Sequence, residues 1–420
     1  MPFRPVSRLV ITSLSAAALF AFLAAPAATQ QNQQVSPPIA RYTMDAGTMS
    51  GLAAMAGGGG GMNAALAMMR GGGGNAAHEL ILRIGSTRTP DGAPNAEHFM
   101  PAGAQLGQSV KLVTPTRQPT PDGPEGQLPT GRLLIYWGCG AHAGAGQPVV
   151  VDFARVARGQ IPPGLYQQPV HVPGDWTITP GNSTTYADWP NPQDGKAVRP
   201  GSSLLGAHRV ASNYAPEIGF SLDKDFMPAL TARSTEQAGG SIMLDWTALP
   251  AATGYYAWAF SAKDSGRGQP QEMVWWASSA TQAFGGPLWS WLSPAAVRQL
   301  IQVRTVMPPS QTSCEIPAEV KQAAGETIMG NLYAYGPEQD FAYPPRPADA
   351  RTSWRPEWTA RVRFRSNTMF MVGMDMSGMG GMSDGEGAAA DGDGAGTQPP
   401  RKPKCRGLAG IAQRAAGLCE

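Results

Sequence analysis

Methionine and tryptophan form the residue patterns with the most chemical content in this chain. Of 19 methionines, six fall within residues 369–382: Met369, Met371, Met374, Met376, Met379 and Met382. Thioether sulfur is a soft donor suited to Cu(I). Met371, Met374, Met376, Met379 and Met382 have the spacing to wrap such an ion without a preformed site. The competing reading makes Met369 and Met371 core residues and the remainder low-complexity drift, and it is the preferred one. No cofactor is therefore expected, with copper as the alternative. Six of eleven tryptophans are Trp246, Trp258, Trp275, Trp276, Trp289 and Trp291. Trp275 and Trp276 are adjacent on a predicted strand and point to opposite faces, which leaves room for one to be exposed. With Trp289 and Trp291 they make a candidate binding surface for sugar rings or a protein partner. Core packing is the plainer explanation.

Other constellations carry less. The stretch 138–143, Gly-Cys-Gly-Ala-His-Ala, fits G-x-G-x-x-A, but a dinucleotide site needs a helix next, and Gln147-Pro148 leads into another strand. Cys139 and His142 could supply two metal ligands or a thiolate–imidazole pair, and no second close pair completes either; a structural Cys beside a loop His is preferred. Ser221-Leu222-Asp223-Lys224 fits S-x-x-K without a later Lys-Thr-Gly. G-x-S-x-G is absent, and His78-Glu79 lacks a zincin's second His. Arg361, Arg363 and Arg365 alternate with Val362 and Phe364, which predicts a half-buried strand with a solvated basic face.

The elements that position these residues belong to an exported chain. Arg4 and Arg8 precede an apolar run, residues 9–25, and Ala25-Pro26-Ala27 fits small-x-small cleavage. Residues 1–28 are expected to be a signal peptide, with no transmembrane span in the mature chain. An oxidising destination permits disulfides among Cys139, Cys314, Cys405 and Cys419. Cys405 with Cys419 is the easiest pair to close, leaving Cys139 with Cys314, but four cysteines allow three pairings and the choice stays open. Lys plus Arg total 32 against 30 Asp plus Glu, so bulk charge does not make a nucleic-acid binder.

Gly (52) and Pro (39) supply more than a fifth of the 420 residues, and they break the chain into short strands. Residues 29–38 read as a linker. Residues 39–235 read as a first β-sandwich with a Gly/Met-rich loop at 49–75, and residues 236–372 as a second β unit. Within the first, residues 132–137 and 149–153 are apolar enough to be central strands. Residues 373–404 read as a disordered linker and 405–420 as a short helical tail. The best helix is residues 294–303, with Ser293 as N-cap and Pro294 at the first position. The fold class is thus mostly β: two antiparallel β-sandwich-like domains with few short helices. In the second unit, Ile242, Leu244 and Trp246 are expected inward, facing Tyr256, Trp258 and Phe260, with Tyr255 on the tolerant side.

Trp246, Pro250, Ala252 and Tyr255 or Tyr256 follow a "W-x-x-x-P-x-A-x-x-Y" pattern. Over about 20 residues the chain here resembles the fibronectin type III family, in which such a Trp and Tyr bracket the core. The resemblance implies a β-sandwich and a binding or spacing role, and no active site. The Met-Gly stretch looks like tracts of exported copper-handling proteins, and the remainder resembles exported bacterial proteins. The expectation is an exported non-catalytic binding or scaffolding protein of the cell envelope, partnered by a protein or glycan. The alternatives are a periplasmic copper-binding protein, and a hydrolase whose site is not legible.

Overall fold

Three sheets hold the strand-forming sequence in the computed structural model, which describes residues 33–57, 76–115, 131–160, 172, 177–264, 270–283, 285–325, 327–349 and 351–373. The largest sheet contains β1 (Ala40–Gly51), β2 (Ala77–Ser86), β5 (Arg132–Trp137), β6 (Val149–Asp152), β7 (Thr185–Trp189), β12 (Gly254–Asp264), β13 (Pro270–Ala277), β15 (Met329–Tyr343) and β16 (Trp358–Met371). These nine lie in the order β6-β5-β13-β12-β15-β16-β1-β2-β7. A second sheet holds β3 (Ala96–Phe99), β4 (Ser109–Leu112), β8 (Gly206–Ser212) and β9 (Ile218–Leu222) as β4-β3-β8-β9. A third holds β10 (Ala232–Glu236), β11 (Ile242–Trp246) and β14 (Ser313–Ile316) as β10-β11-β14. The helices are short: α1 (Leu52–Gly57), α2 (Phe153–Val156), α3 (Pro294–Gln302) and α4 (Ala318–Ala323). The protein is mostly β, as its sequence predicts. No helix among the described residues is long and apolar enough to cross a membrane.

The two smaller sheets cover one face of the large one. Period-two alternation decides which residues they contribute. In β9, Ile218, Phe220 and Leu222 are buried while Gly219 and Ser221 are exposed. In β2, Leu80, Leu82 and Ile84 face the same core. The opposite face of the large sheet is covered in its middle by α3 and the segment 285–292, which bury Leu288, Leu292, Val297 and Leu300 against Tyr256, Trp258 and Tyr335. Ser293 caps α3 as predicted, its hydroxyl accepting from the Ala296 N–H at 3.1 Å.

Strands from both sides of the expected 235/236 boundary share the nine-stranded sheet, so the two sandwich-like halves lean on one backing sheet. It is mixed: β1 pairs with β16, and β5 with β13, in parallel. Local alternation specifies a strand and its buried face but not its neighbour, which is why the sharing is invisible in the sequence. The strand at 149–153, expected to be central, is β6 at the sheet's edge, with Val150 41% exposed. β7 pairs with β2 at the opposite edge of the sheet.

Trp246 is buried, and Ile242, Leu244 and Trp246 point inward as expected. Its partner differs. Trp246 packs on Tyr255, with ring centroids 5.4 Å apart, and Tyr255 is 0% exposed. The expectation that Tyr255 is tolerant is therefore corrected. Because β11 belongs to a covering sheet, it meets the face of β12 that carries Tyr255, Ala257 and Ala259, while Tyr256 and Trp258 face α3.

Candidate functional site

Arginines dominate the face of β16 that looks away from the covering sheets. In register, Arg361, Arg363 and Arg365 lie beside Thr43, Asp45 and Gly47 of β1, and beside Asp340, Glu338 and Tyr335 of β15. Arg363 donates from Nε to Asp45 Oδ1 at 2.8 Å and from Nη2 to Oδ2 at 3.1 Å. Its Nη1 donates to the Trp291 carbonyl at 2.8 Å. Arg83 of β2 reaches the same Asp45 Oδ2 at 2.8 Å. Arg365 contacts Glu79 Oε2 at 3.0 Å, donates to the Trp289 carbonyl, and lies 3.7 Å above the Trp291 ring. Gly47 makes that crossing possible: a Cβ there would come within 3.2 Å of both Glu79 Oε2 and Trp291 Cζ2.

This corrects the expectation of a solvated basic face. Both faces of β16 are covered, and the side chains of Arg363 and Asp45 are 3% and 1% exposed. The compensating carboxylates come from β1 and β2, some 300 residues away in sequence, which no local pattern reveals. Buried charges persist only when paired and hydrogen-bonded. Here the pairing also clamps the 289–291 segment, whose two carbonyls accept from the arginines. Trp291 Nε1 completes the clamp by donating to the Ala46 carbonyl at 3.0 Å.

At the solvent end of the ladder, Arg361 Nε lies 3.3 Å from Glu338 Oε2 and 3.4 Å from Asp340 Oδ1. Glu338 follows a bulge between Tyr335 and Glu338. Burial first, and then the neighbouring Asp340 charge, push its carboxyl up to about 7, against the pull of Arg361 and Arg363. The acid form of Glu338 is thereby favoured well above the ordinary carboxylate range, while the Asp340 side chain is 62% exposed. Two nearly buried groups, Glu338 and Arg361, thus meet one exposed carboxylate, Asp340, where the ladder reaches solvent.

The tryptophans do not form an exposed row. Trp275, Trp276 and Trp291 are buried and Trp289 is partly so. Trp275 and Trp276 do point to opposite faces, but both faces are covered. Trp275 stacks on Trp258 at 5.0 Å and lies 5.6 Å from Trp289. Trp276 faces the other core and donates from Nε1 to the Gly138 carbonyl at 2.8 Å. These are packing residues, as the plainer explanation has it. No family model matches this chain, and no curated protein matches it.

Cys139 is bonded to Cys314, which ties the loop after β5 to β14 of the three-stranded sheet. His142 is exposed and pairs with Glu319 Oε1 at 3.1 Å. Glu319 Oε2 accepts the Ala143 N–H at 2.9 Å, and that bond leads the lowering of its carboxyl pKa. Cys139 is thus a structural half-cystine rather than a free thiolate. Met369 is buried beside Ala53 and Leu52, and Met371 ends β16 opposite Met329. Met374, Met376, Met379 and Met382 lie outside the described residues, as do Cys405, Cys419 and residues 1–28. Among the described residues no three His, Cys, Asp or Glu side chains group to hold a metal ion.

Sequence reasoning missed Asp45 and Glu338. Asp45 interrupts an otherwise mild strand, Tyr42-Thr43-Met44-Asp45-Ala46, and a lone carboxylate at an alternation position was the available signal. Glu338 followed Gly336-Pro337, a pair that marks a break in a strand.

Proposed function

We propose that this chain is an exported, non-catalytic binding or scaffolding protein of the bacterial cell envelope. The observation that carries the reading is the Cys139–Cys314 bond, which joins the backing sheet to one of its covering sheets. Such a bond suits an oxidising compartment, in agreement with the leader-like residues 1–28. The fibronectin type III-like reading of the second half draws support from the sheets: β10-β11-β14 faces β13-β12-β15-β16 across Trp246 and Tyr255, a three-on-four sandwich. The Glu338–Asp340–Arg361 patch is the ligand-facing surface, and the partner is a protein or glycan of the envelope.

The test is expression of the full chain in a bacterial host, followed by fractionation, sequencing of the mature N-terminus and co-sedimentation with purified envelope fractions. The expected result is a chain cleaved after Ala27, recovered outside the cytoplasm, with Cys139 and Cys314 resistant to alkylation. It sediments with envelope material, and Glu338→Gln/Asp340→Asn weakens that association several-fold. Cytoplasmic retention with two alkylatable thiols overturns the export reading. Association untouched by the double variant overturns the assignment of the patch.

A further inference from the structure

Three side chains from three strands form a hydrogen-bonded relay in the core between the nine-stranded and four-stranded sheets. Tyr42 Oη of β1 lies 2.6 Å from His98 Nδ1 of β3. His98 Nε2 lies 3.0 Å from His208 Nδ1 of β8. His208 Nε2 lies 2.7 Å from the Leu204 carbonyl. Tyr42 and His98 are 0% exposed and His208 is 2%.

The chain of bonds has one neutral solution. A carbonyl only accepts, so His208 Nε2 carries a hydrogen. A neutral imidazole then has its lone pair on Nδ1, and that nitrogen accepts from His98 Nε2–H. His98 Nδ1 in turn accepts from the Tyr42 hydroxyl. Every donor is used in one direction, from β1 through β3 to β8. An added proton has no acceptor waiting. On His208 Nδ1 it opposes the His98 Nε2–H. If His98 changes tautomer to receive it, the Tyr42 oxygen must accept and its own hydrogen loses its partner. Either way a cation lies among Phe220 and the rings themselves, Phe220 stacking on His208 at 5.2 Å.

Among the described residues no carboxylate relieves that cation: beside Leu204, Asp225 is taken up by the Ser203 hydroxyl and the Leu204 N–H, and β15 brings Phe341 onto Phe220. On β1 the nearest charge is Asp45, on the opposite face and committed to Arg83 and Arg363. On β3, Glu97 points outward to Ser109. On β8, Arg209 points outward to Glu217 and Phe99. β9 brings Phe220 and no charged side chain. Burial accordingly lowers the pKa of both histidines from the usual 6.5, and His208 adds to the effect on His98.

We propose that the Tyr42–His98–His208 relay is an acid-released latch: protonation of the histidine pair frees β3, β8 and β9 from the backing sheet while the disulfide-tied half stays closed. The sign follows from linkage. Histidines held neutral in the fold give the latch its full strength above about pH 6.5, and the open state, whose histidines are ordinary, gains protons first as pH falls below that value. An exported chain meets pH changes that no cytosolic buffer moderates.

The test is hydrogen exchange on the mature chain at pH 7.5 and pH 5.0, with each amide corrected for its intrinsic rate. The expected result is at least a tenfold loss of protection in β3, β8 and β9 relative to β11 and β14. Glutamine keeps one donor and one acceptor but takes no proton. His98→Gln/His208→Gln should abolish the selective loss, and single His208→Gln should reduce it if the double variant does not fold. Equal loss in both halves, no loss at pH 5.0, or selective loss undiminished in the glutamine variants overturns the proposal.

Discussion

Two covers lean on the same sheet through one shared apolar core, and each adds a fastening of its own kind. The four-stranded cover meets β1 through the neutral, one-directional relay of Tyr42, His98 and His208. The three-stranded cover meets β12 through Trp246 on Tyr255 and is tied to the loop after β5 by Cys139–Cys314. One fastening depends on proton activity and the other does not. A single sheet can therefore carry one half that responds to its surroundings and one that resists them.

The comparison is sharpest where the apolar fastening is removed. Trp246→Ala should cost ~3–5 kcal/mol, read as a fall in the urea midpoint with an unchanged slope. A cost below about 1 kcal/mol would show that the three-stranded cover is held by its disulfide alone. Arg363→Leu addresses the backing sheet under both covers. It removes the bidentate partner of buried Asp45 and should cost ~3–5 kcal/mol, leaving the carboxylate with Arg83, 2.8 Å away. A loss much smaller than that would mean Asp45 is rescued by water or by Arg83 swinging inward. Cys139→Ser/Cys314→Ser opens a closure spanning 175 residues and should cost ~2–4 kcal/mol. If the covers are independent, hydrogen exchange in β3 and β8 should not change. Tyr255→Phe leaves the buried Leu249 N–H without its hydroxyl acceptor and should cost ~1–3 kcal/mol by thermal melting. Val303→Ser, at a position 58% exposed, should stay within about 0.5 kcal/mol.

What could be read in advance follows the range of the forces involved. β2, β9, β11 and α3 were legible because alternation, a Ser cap and a leading proline act within a few residues. The inward set Ile242, Leu244 and Trp246 followed from period two alone. The arginines of β16 misled for the same reason: alternation says that one face differs from the other, not that both are covered. Their true environment depends on Asp45 and Glu79, brought alongside only by the parallel pairing of β1 with β16. The relay was likewise out of reach, since His98 and His208 are 110 positions apart. Trp246 and the following tyrosines are one turn apart in sequence, so a Trp–Tyr contact was within local reach. The choice between Tyr255 and Tyr256 needed the knowledge that β11 and β12 belong to different sheets.

The parallel pairing of β1 with β16 has a mechanical meaning. Ala40 lies opposite Trp358 and Gly51 opposite Met369, so the two strands run side by side in the same direction for twelve residues. The chain enters β1 at one end of this pair and leaves β16 at the other. Tension between the segment before Ala40 and the segment after Met371 therefore pulls the two strands past each other along their length. The rungs of the ladder resist together instead of opening one after another, as they would if both strands were pulled from the same end. Arg363–Asp45, a crosslink between the same two strands, lies in the middle of that ladder and opposes the same sliding. A pull applied between those two segments therefore meets the twelve-residue ladder and its buried ion pair at once.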